Sequence, residues 1–269
     1  MLPITNQVPY SSAVAIVGKA KNSGRTQPLQ MRCECNGKYS DYIVKLWANP
    51  ELFSGKHFSA REIYGSLLAR SFGIKTPDIS IIDIDPEFYL TQSNGHTILL
   101  KNSQGFNFGS KYKIAAKIFS SPVPDTLHSE AVRIFCFDML IGNPDRRVRN
   151  PNVFQETDHL EVFDHEQAFP YSLPGTFLGG FPPGWIFIKE KWHKWHVFYS
   201  SIRKRDCNVE IDQFMNLVDN LSTEILDIIE EQIPSEWNAG NELVHIRDYL
   251  LNIRENSELF KRSLQEVLA

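Results

Sequence analysis

Gly142-Asn143-Pro144-Asp145-Arg146-Arg147-Val148-Arg149-Asn150-Pro151-Asn152-Val153-Phe154, with Leu160-Glu161-Val162-Phe163-Asp164-His165-Glu166 just beyond it, carries oxygen-bearing side chains at separations that let a folded chain bring them to one point. Val153-Phe154 and Leu160-Glu161-Val162-Phe163 have the apolar and aromatic content of two short antiparallel strands. The polar turn Gln155-Glu156-Thr157-Asp158-His159 joins them, and such a hairpin returns Asp164 beside Asn150. Oxygen donors gathered in this way suit magnesium, a hard cation that takes one or two carboxylates from protein and fills its shell with water and phosphate oxygens. Singly these residues say less: Asp145 after Asn143-Pro144 fits a turn, and Asn150 and Asn152 around Pro151 fit Asx-turns. Jointly they read as a phosphoryl-transfer site in which Asn150 and Asp164 hold metal and Asp145 takes or orients the proton of an acceptor hydroxyl.

Upstream, Asp41-Tyr42-Ile43-Val44-Lys45-Leu46-Trp47 is rich in strand-forming residues and places Lys45 among them. A lysine in that setting either discourages edge-to-edge pairing or contacts ATP phosphates while paired with a helix glutamate. Ser59-Ala60-Arg61-Glu62 opens the next helix. Glu62 has two readings, as the reciprocal member of a capping box with Ser59 and as the partner of Lys45; the order of strand lysine then helix glutamate favours the second.

With Tyr42-Ile43-Val44-Lys45, Glu62 to Pro77, Asn107-Phe108-Gly109-Ser110, Asn143-Pro144-Asp145-Arg146, Arg149-Asn150-Pro151-Asn152 and Phe163-Asp164-His165 in view, the chain resembles the HipA-like kinases, in particular their compact bacterial branch. The resemblance spans most of residues 40 to 170. It implies an α+β, two-lobed protein-kinase-like fold with a β-rich N-lobe over residues 1–101 and a mainly helical C-lobe over 102–269. It further implies ATP and Mg2+ as cosubstrate and cofactor, and serine or threonine of a protein as acceptor. By family analogy alone it also suggests a toxin or phage-defence role and an antitoxin-like partner protein. A catalytically inactive nucleotide sensor, or a small-molecule or lipid kinase, are the rival readings.

The chain departs from ordinary protein kinases in three places. The catalytic loop lacks the His-Arg-Asp start, reading Asn143-Pro144-Asp145 instead. The second metal motif is Asp164-His165-Glu166 where Asp-Phe-Gly is usual, so activation-loop logic does not transfer. No Gly-x-Gly-x-x-Gly run precedes Lys45. The nearest candidate is Lys21-Asn22-Ser23-Gly24-Arg25-Thr26, where Gly24 would admit phosphates close to the backbone and Ser23 would donate its hydroxyl; an ordinary hairpin turn accounts equally well for it.

A chain of 269 residues, 42% hydrophobic, can build one large domain or two lobes. The net charge of −4 provides no global field for a polyanion, which disfavours nucleic acid. No apolar run approaches a membrane span and the first residues lack a signal-peptide pattern, so a cytoplasmic protein without membrane attachment is expected. Cys33, Cys35, Cys136 and Cys207 lack zinc-site spacing and read as reduced thiols, and His193 with His196 has no companion ligand nearby.

The remaining segments are assigned coarsely. A helix is expected from Ser59 to Phe72, stopping at Gly73; strands at Ile79–Ile84 and Thr97–Leu100; a connection over the adenine at residues 102–110; and a buried helix from Asp125 to Leu140 leading into the Asp145 loop. Apolar stripes from Ile211 to Leu268 predict helices interrupted at Pro234. Pro170 to Trp195, rich in Gly, Pro and aromatics, is either a self-packed loop or a substrate-facing lid. Arg146, Arg147 and Arg149 stand close enough in sequence to neutralise transferred phosphate or an acidic acceptor, whereas Arg203-Lys204-Arg205 reads as a solvated cluster.

Overall fold

The computed structural model describes residues 7–19, 28–49, 55–91, 95–170 and 185–269. Ser23 and Gly24, proposed from sequence for phosphate contact, and residues 171–184 of the expected lid lie outside that set. The architecture is mixed α+β, with the strands concentrated in the N-terminal part and helices dominating the remainder.

Five strands close a barrel. β1 (Tyr10–Lys19), β2 (Leu29–Cys35) and β3 (Lys38–Lys45) form an antiparallel meander, β5 (Gly105–Lys111) pairs with β3 and with β4 (Ile79–Ile84), and β4 closes the ring on β1 in parallel. Two register shifts in β1 supply the bending that closure requires. The interior holds Leu29, Met31, Cys33, Val44, Ile82 and Ile84, alternate residues of their strands pointing the same way. The other face of β4, Ile79 and Ile81, packs with Ala60, Ile63, Tyr64 and Leu67 of α1 (Gly55–Ser71). Covered on both faces, β4 is buried along its whole length except at Asp83, with isoleucine at four of its six positions. All four cysteines are free; Cys33 sits inside the barrel, where burial pushes its thiol up to about 12.

Three expectations are corrected. The helix begins at Gly55, not Ser59, so Ser59 is interior to α1 and its hydroxyl donates to the Gly55 carbonyl; the capping-box reading of Ser59 and Glu62 fails with it. Thr97–Asn102 is a helix, α3, following the short α2 (Pro86–Leu90); only Leu100 of α3 is buried, and its amide donates to the His96 carbonyl one turn back. Residues 105–111 are β5, not a connection, because their backbone groups pair on both sides. Gly109 is small for a packing reason: a Cβ there would lie 2.6 Å from Ile82 Cγ1. The barrel thus runs past residue 101 to Lys111.

A 3-10 turn at Asp125–Leu127 leads into α4 (His128–Leu140), which is buried along its length from Ala131 to Leu140 except at Arg133. Beyond it, β6 (Val153–Gln155) and β7 (Leu160–Val162) form the expected hairpin, with Val153 opposite Val162. Short helices α5 (Trp185–Glu190) and α6 (Tyr199–Ile202) precede α7 (Asn208–Asp219), α8 (Thr223–Glu230), α9 (Gly240–Glu255) and α10 (Ser257–Leu268), with Pro234 between α8 and α9 as the sequence indicates. The polar residues of α1 need partners because the helix is buried nearly all round: Arg61 pairs with Glu242 of α9 in an ion pair almost wholly shielded from solvent. Among the described residues no helix is long and apolar enough to cross a membrane.

Candidate active site

α4 ends by turning its chain sharply, the Asn143 amide donating to the Asp138 carbonyl at 2.8 Å. In the loop that follows, Asn143 Oδ1 accepts from the Asp145 amide at 3.1 Å and Asn143 Nδ2 donates to Asp138 Oδ1, which fixes the backbone that carries Asp145. A tight turn closes between Arg147 and Asn150 through paired backbone bonds of 3.0 Å, and Asn150 Nδ2 donates to Asp145 Oδ2 at 2.9 Å. The five-residue spacing therefore brings the expected base and the expected metal ligand into direct contact. Burial raises the Asp145 pKa first, and the Asp164 charge raises it further, while Arg147 opposes both.

Arg146 behaves differently from the expectation placed on it. Its side chain turns into the core, where Nε pairs with Asp138 Oδ2 at 2.6 Å and Nη1 donates to the carbonyls of Asn152 (2.6 Å) and Phe163 (3.0 Å). It cannot meet a phosphate. It ties α4, the Asp145 loop and the strand before Asp164 into one unit. His196 completes this buried group by contacting Asp138 through Nε2 at 2.9 Å, and the His193 ring is engaged with the Phe187 carbonyl. Burial raises Asp138, but Arg146 and His196 outweigh it and hold its pKa at about 2.

The hairpin delivers Asp164 to the barrel. Lys45, last residue of β3, donates to Asp164 Oδ1 at 2.7 Å, to Glu166 Oε2 at 2.7 Å and to Glu62 Oε1. One expected pairing is thereby present, between Lys45 and Glu62, and a partner the sequence reading missed is added. Glu166 stands two residues after Asp164, and a second carboxylate so close to a candidate metal ligand was the available signal. Carboxylate oxygens of Glu62, Asp164 and Glu166 all lie within 4.8 Å of one another. Burial pushes the Lys45 pKa down, yet Asp164, Glu62 and Glu166 together carry it well above the usual value. The Asp164 pKa, raised by burial, is brought below the usual range by Lys45. Burial is the larger effect on Glu62, whose pKa is pushed up to about 7 in spite of Lys45.

Asp164 has a φ of 65°, a backbone region few non-glycine residues adopt. Its neighbour His165 helps hold that conformation. The His165 amide donates to Glu62 Oε2 at 2.7 Å, and its fully buried ring packs against Gly65 of α1, where a Cβ would stand 2.6 Å from His165 Cβ. Neither ring nitrogen has a hydrogen-bond partner among the described residues, and burial drives the pKa down to about 3, so the imidazole is neutral. Gly65 is therefore required by close approach, and α1 carries both the Lys45 partner and the seat for the Asp164 turn.

Chemically, one ammonium within a ring of three carboxylates is a site that could take a hard divalent cation through oxygen, with the ammonium left to meet phosphate. The adjoining Asp145–Asn150 pair offers a base close to that ring.

No curated protein sequence matches the chain. Among solved structures it is similar to the crystal structure of a Helicobacter pylori proinflammatory kinase, CtkA, at 10% identity, over 95% of this chain and 96% of that chain, with a TM-score of 0.50. At that identity the likeness concerns the fold, which is kinase-like. The sequence pattern of the HipA-like kinases matches residues 14–264. The chain belongs to the HipA-like kinase family.

Proposed function

We propose that the protein is an ATP- and magnesium-dependent phosphotransferase that moves the γ-phosphoryl group in line to a serine or threonine hydroxyl of a protein. The observation that carries this reading is the convergence of the carboxylates of Glu62, Asp164 and Glu166 on the Lys45 ammonium, from three separate segments, next to the Asp145–Asn150 pair. The reading divides the chain into a small lobe built on the barrel, up to about residue 111, and a helical large lobe after it.

In this scheme Lys45 binds phosphate oxygens and Glu62 orients Lys45. Asp164 and the amide oxygen of Asn150 would hold magnesium, with Glu166 a further oxygen donor in reach. Bound magnesium supplies positive charge against the phosphates. Asp145, its pKa raised by burial and by Asp164, receives the proton of the acceptor hydroxyl as the new P–O bond forms and the bond to the ADP oxygen breaks. Arg146 touches no reacting atom in this scheme; it keeps Asp145 and Asp164 at a fixed separation.

The test uses Asp145→Asn, in which an amide oxygen can still accept from Asn150. Magnesium-ATP should raise the melting temperature of wild type and variant alike. Label transfer from ATP to the protein itself or to lysate proteins should fall by about a hundred- to ten-thousandfold in the variant. Transfer at wild-type rate would remove Asp145 from the role of base. Nucleotide binding without transfer by either protein would identify a sensor instead of an enzyme.

A further inference from the structure

We propose that Arg147, Arg149 and Trp195 form an acceptor-docking face that selects a peptide carrying acidic residues beside its hydroxyl; this rests on the phosphotransferase reading of Asp145. Residues 147 to 150 are all exposed, on the turn that holds Asn150 against Asp145. With Arg146 withdrawn into the core, Arg147 and Arg149 are the cations this loop presents outward. Arg147 is fixed in place: Nε donates to the Pro144 carbonyl at 2.7 Å and its guanidinium lies over the Trp195 ring, 5.4 Å from the centroid. The two segments run side by side, since Arg147 bridges to His196 through the backbone and the Val197 amide donates to the Arg146 carbonyl at 3.0 Å. Trp195 stays 56% exposed and Val148 59%, which leaves apolar area for a bound chain.

Among the described residues none of Arg147, Arg149 and Lys194, which is exposed beside Trp195, forms an ion pair with a carboxylate, so their charge is open to a carboxylate of a bound chain. The chain as a whole carries −4, so these cations are not the surplus of a basic protein. Arg147 stands two residues after Asp145 in the same loop, its Nε on the Pro144 carbonyl, so an acidic side chain on the Arg147 guanidinium would lie close along a bound chain to a hydroxyl at Asp145. A guanidinium held by its Nε and by an aromatic face retains its terminal nitrogens for a carboxylate, with little side-chain freedom left to lose. On the phosphotransferase reading the ATP phosphates meet Lys45, whose side chain is 11% exposed, and these exposed arginines belong to the acceptor's side.

The experiment offers the full chain labelled ATP, magnesium and a set of serine and threonine peptides with Asp or Glu, Lys or Arg, or Ala fixed at each flanking position. Wild type should favour acidic flanks. Arg147→Glu combined with Arg149→Glu should reduce kcat/KM for the acidic peptides by about three- to tenfold and raise it for basic ones, with magnesium-ATP affinity, read by thermal shift, unchanged. Arg149→Glu alone, at a side chain with no hydrogen bond among the described residues, carries the test if the double variant fails to fold. No charge preference, a basic preference, or an acidic preference retained in the variants overturns the proposal. So does the absence of peptide phosphorylation by a protein that binds magnesium-ATP and labels itself. Absence of both nucleotide binding and transfer would instead refute the phosphotransferase reading beneath it.

Discussion

Glu62→Gln removes a charge and an acceptor from a place where both are in use. One oxygen of Glu62 accepts from Lys45, and the other accepts from the His165 amide at 2.7 Å. Glutamine has one acceptor oxygen, so its NH2 must face either the ammonium or the amide, donor against donor. The side chain is 1% exposed, and water cannot repair the mismatch. One unsatisfied buried donor costs about 1–3 kcal/mol. Part of that is returned, because removing Glu62's charge relieves its repulsion with Asp164 and Glu166, the same repulsion that helps push its pKa up to about 7. The net loss, about 1–2 kcal/mol, corresponds in a chain of this size to a melting temperature roughly 2–8 °C lower. Turnover should fall about tenfold or more, each tenfold being about 1.4 kcal/mol of lost orientation at Lys45. Thermal unfolding with and without magnesium-ATP, together with initial rates of label transfer, measures both. A variant that melts within 1 °C of wild type would refute the two-donor account of Glu62. One that melts lower but transfers at full rate would leave the Lys45 pair with a structural role only.

Two further outcomes follow from the packing around this centre. Gly65→Ala should destabilise by about 1–3 kcal/mol and slow transfer, since the added methyl drives His165, and Asp164 with it, away from α1; unchanged kinetics would mean the His165 seat is not needed. Arg146→Met should cost about 3–5 kcal/mol in a denaturant titration, because it leaves the Asp138 carboxylate buried with only Asn143 and His196, and a midpoint equal to wild type would contradict the clamp. The same pair sets a pH dependence. The folded Asp138 pKa of about 2 lies below the unfolded value near 3.9, so its contribution is complete above about pH 5 and disappears as pH falls toward 2. Arg146→Met should flatten that part of the stability profile.

The hairpin after Asn150, the helix before Asp145 and the meeting of Lys45 with Glu62 were legible because each rests on a period or an order that local chemistry enforces. Residues 97 to 111 were not. Thr97-Ile98-Leu99-Leu100 is a short apolar run without a period, and such a run does not separate helix from strand. Gly105, Gly109 and Ser110 suggested a loop by composition, while the structure places Gly109 against Ile82 inside a sheet. Three neighbouring arginines were alike in sequence. Asp138, on the last turn of α4, decides which of them turns inward, and only the fold shows that it faces Arg146. Glu166 was missed because Asp164 alone answered to a known motif.

Arg61 and Glu62 are consecutive on α1, and consecutive side chains on a helix point about 100° apart. One is gripped by Glu242 of α9, far along the chain, and the other by Lys45 of the barrel. A rotation of α1 about its own axis that favours either contact loosens the other. The angular setting of this helix is thus dictated jointly by the barrel and by the C-terminal helices, and the lysine inherits that setting. Loss of α9, or an alteration that shifts it, would be felt at Lys45 as a misaligned ammonium, although the carboxylates on that ammonium come from α1 and the Asp164 turn.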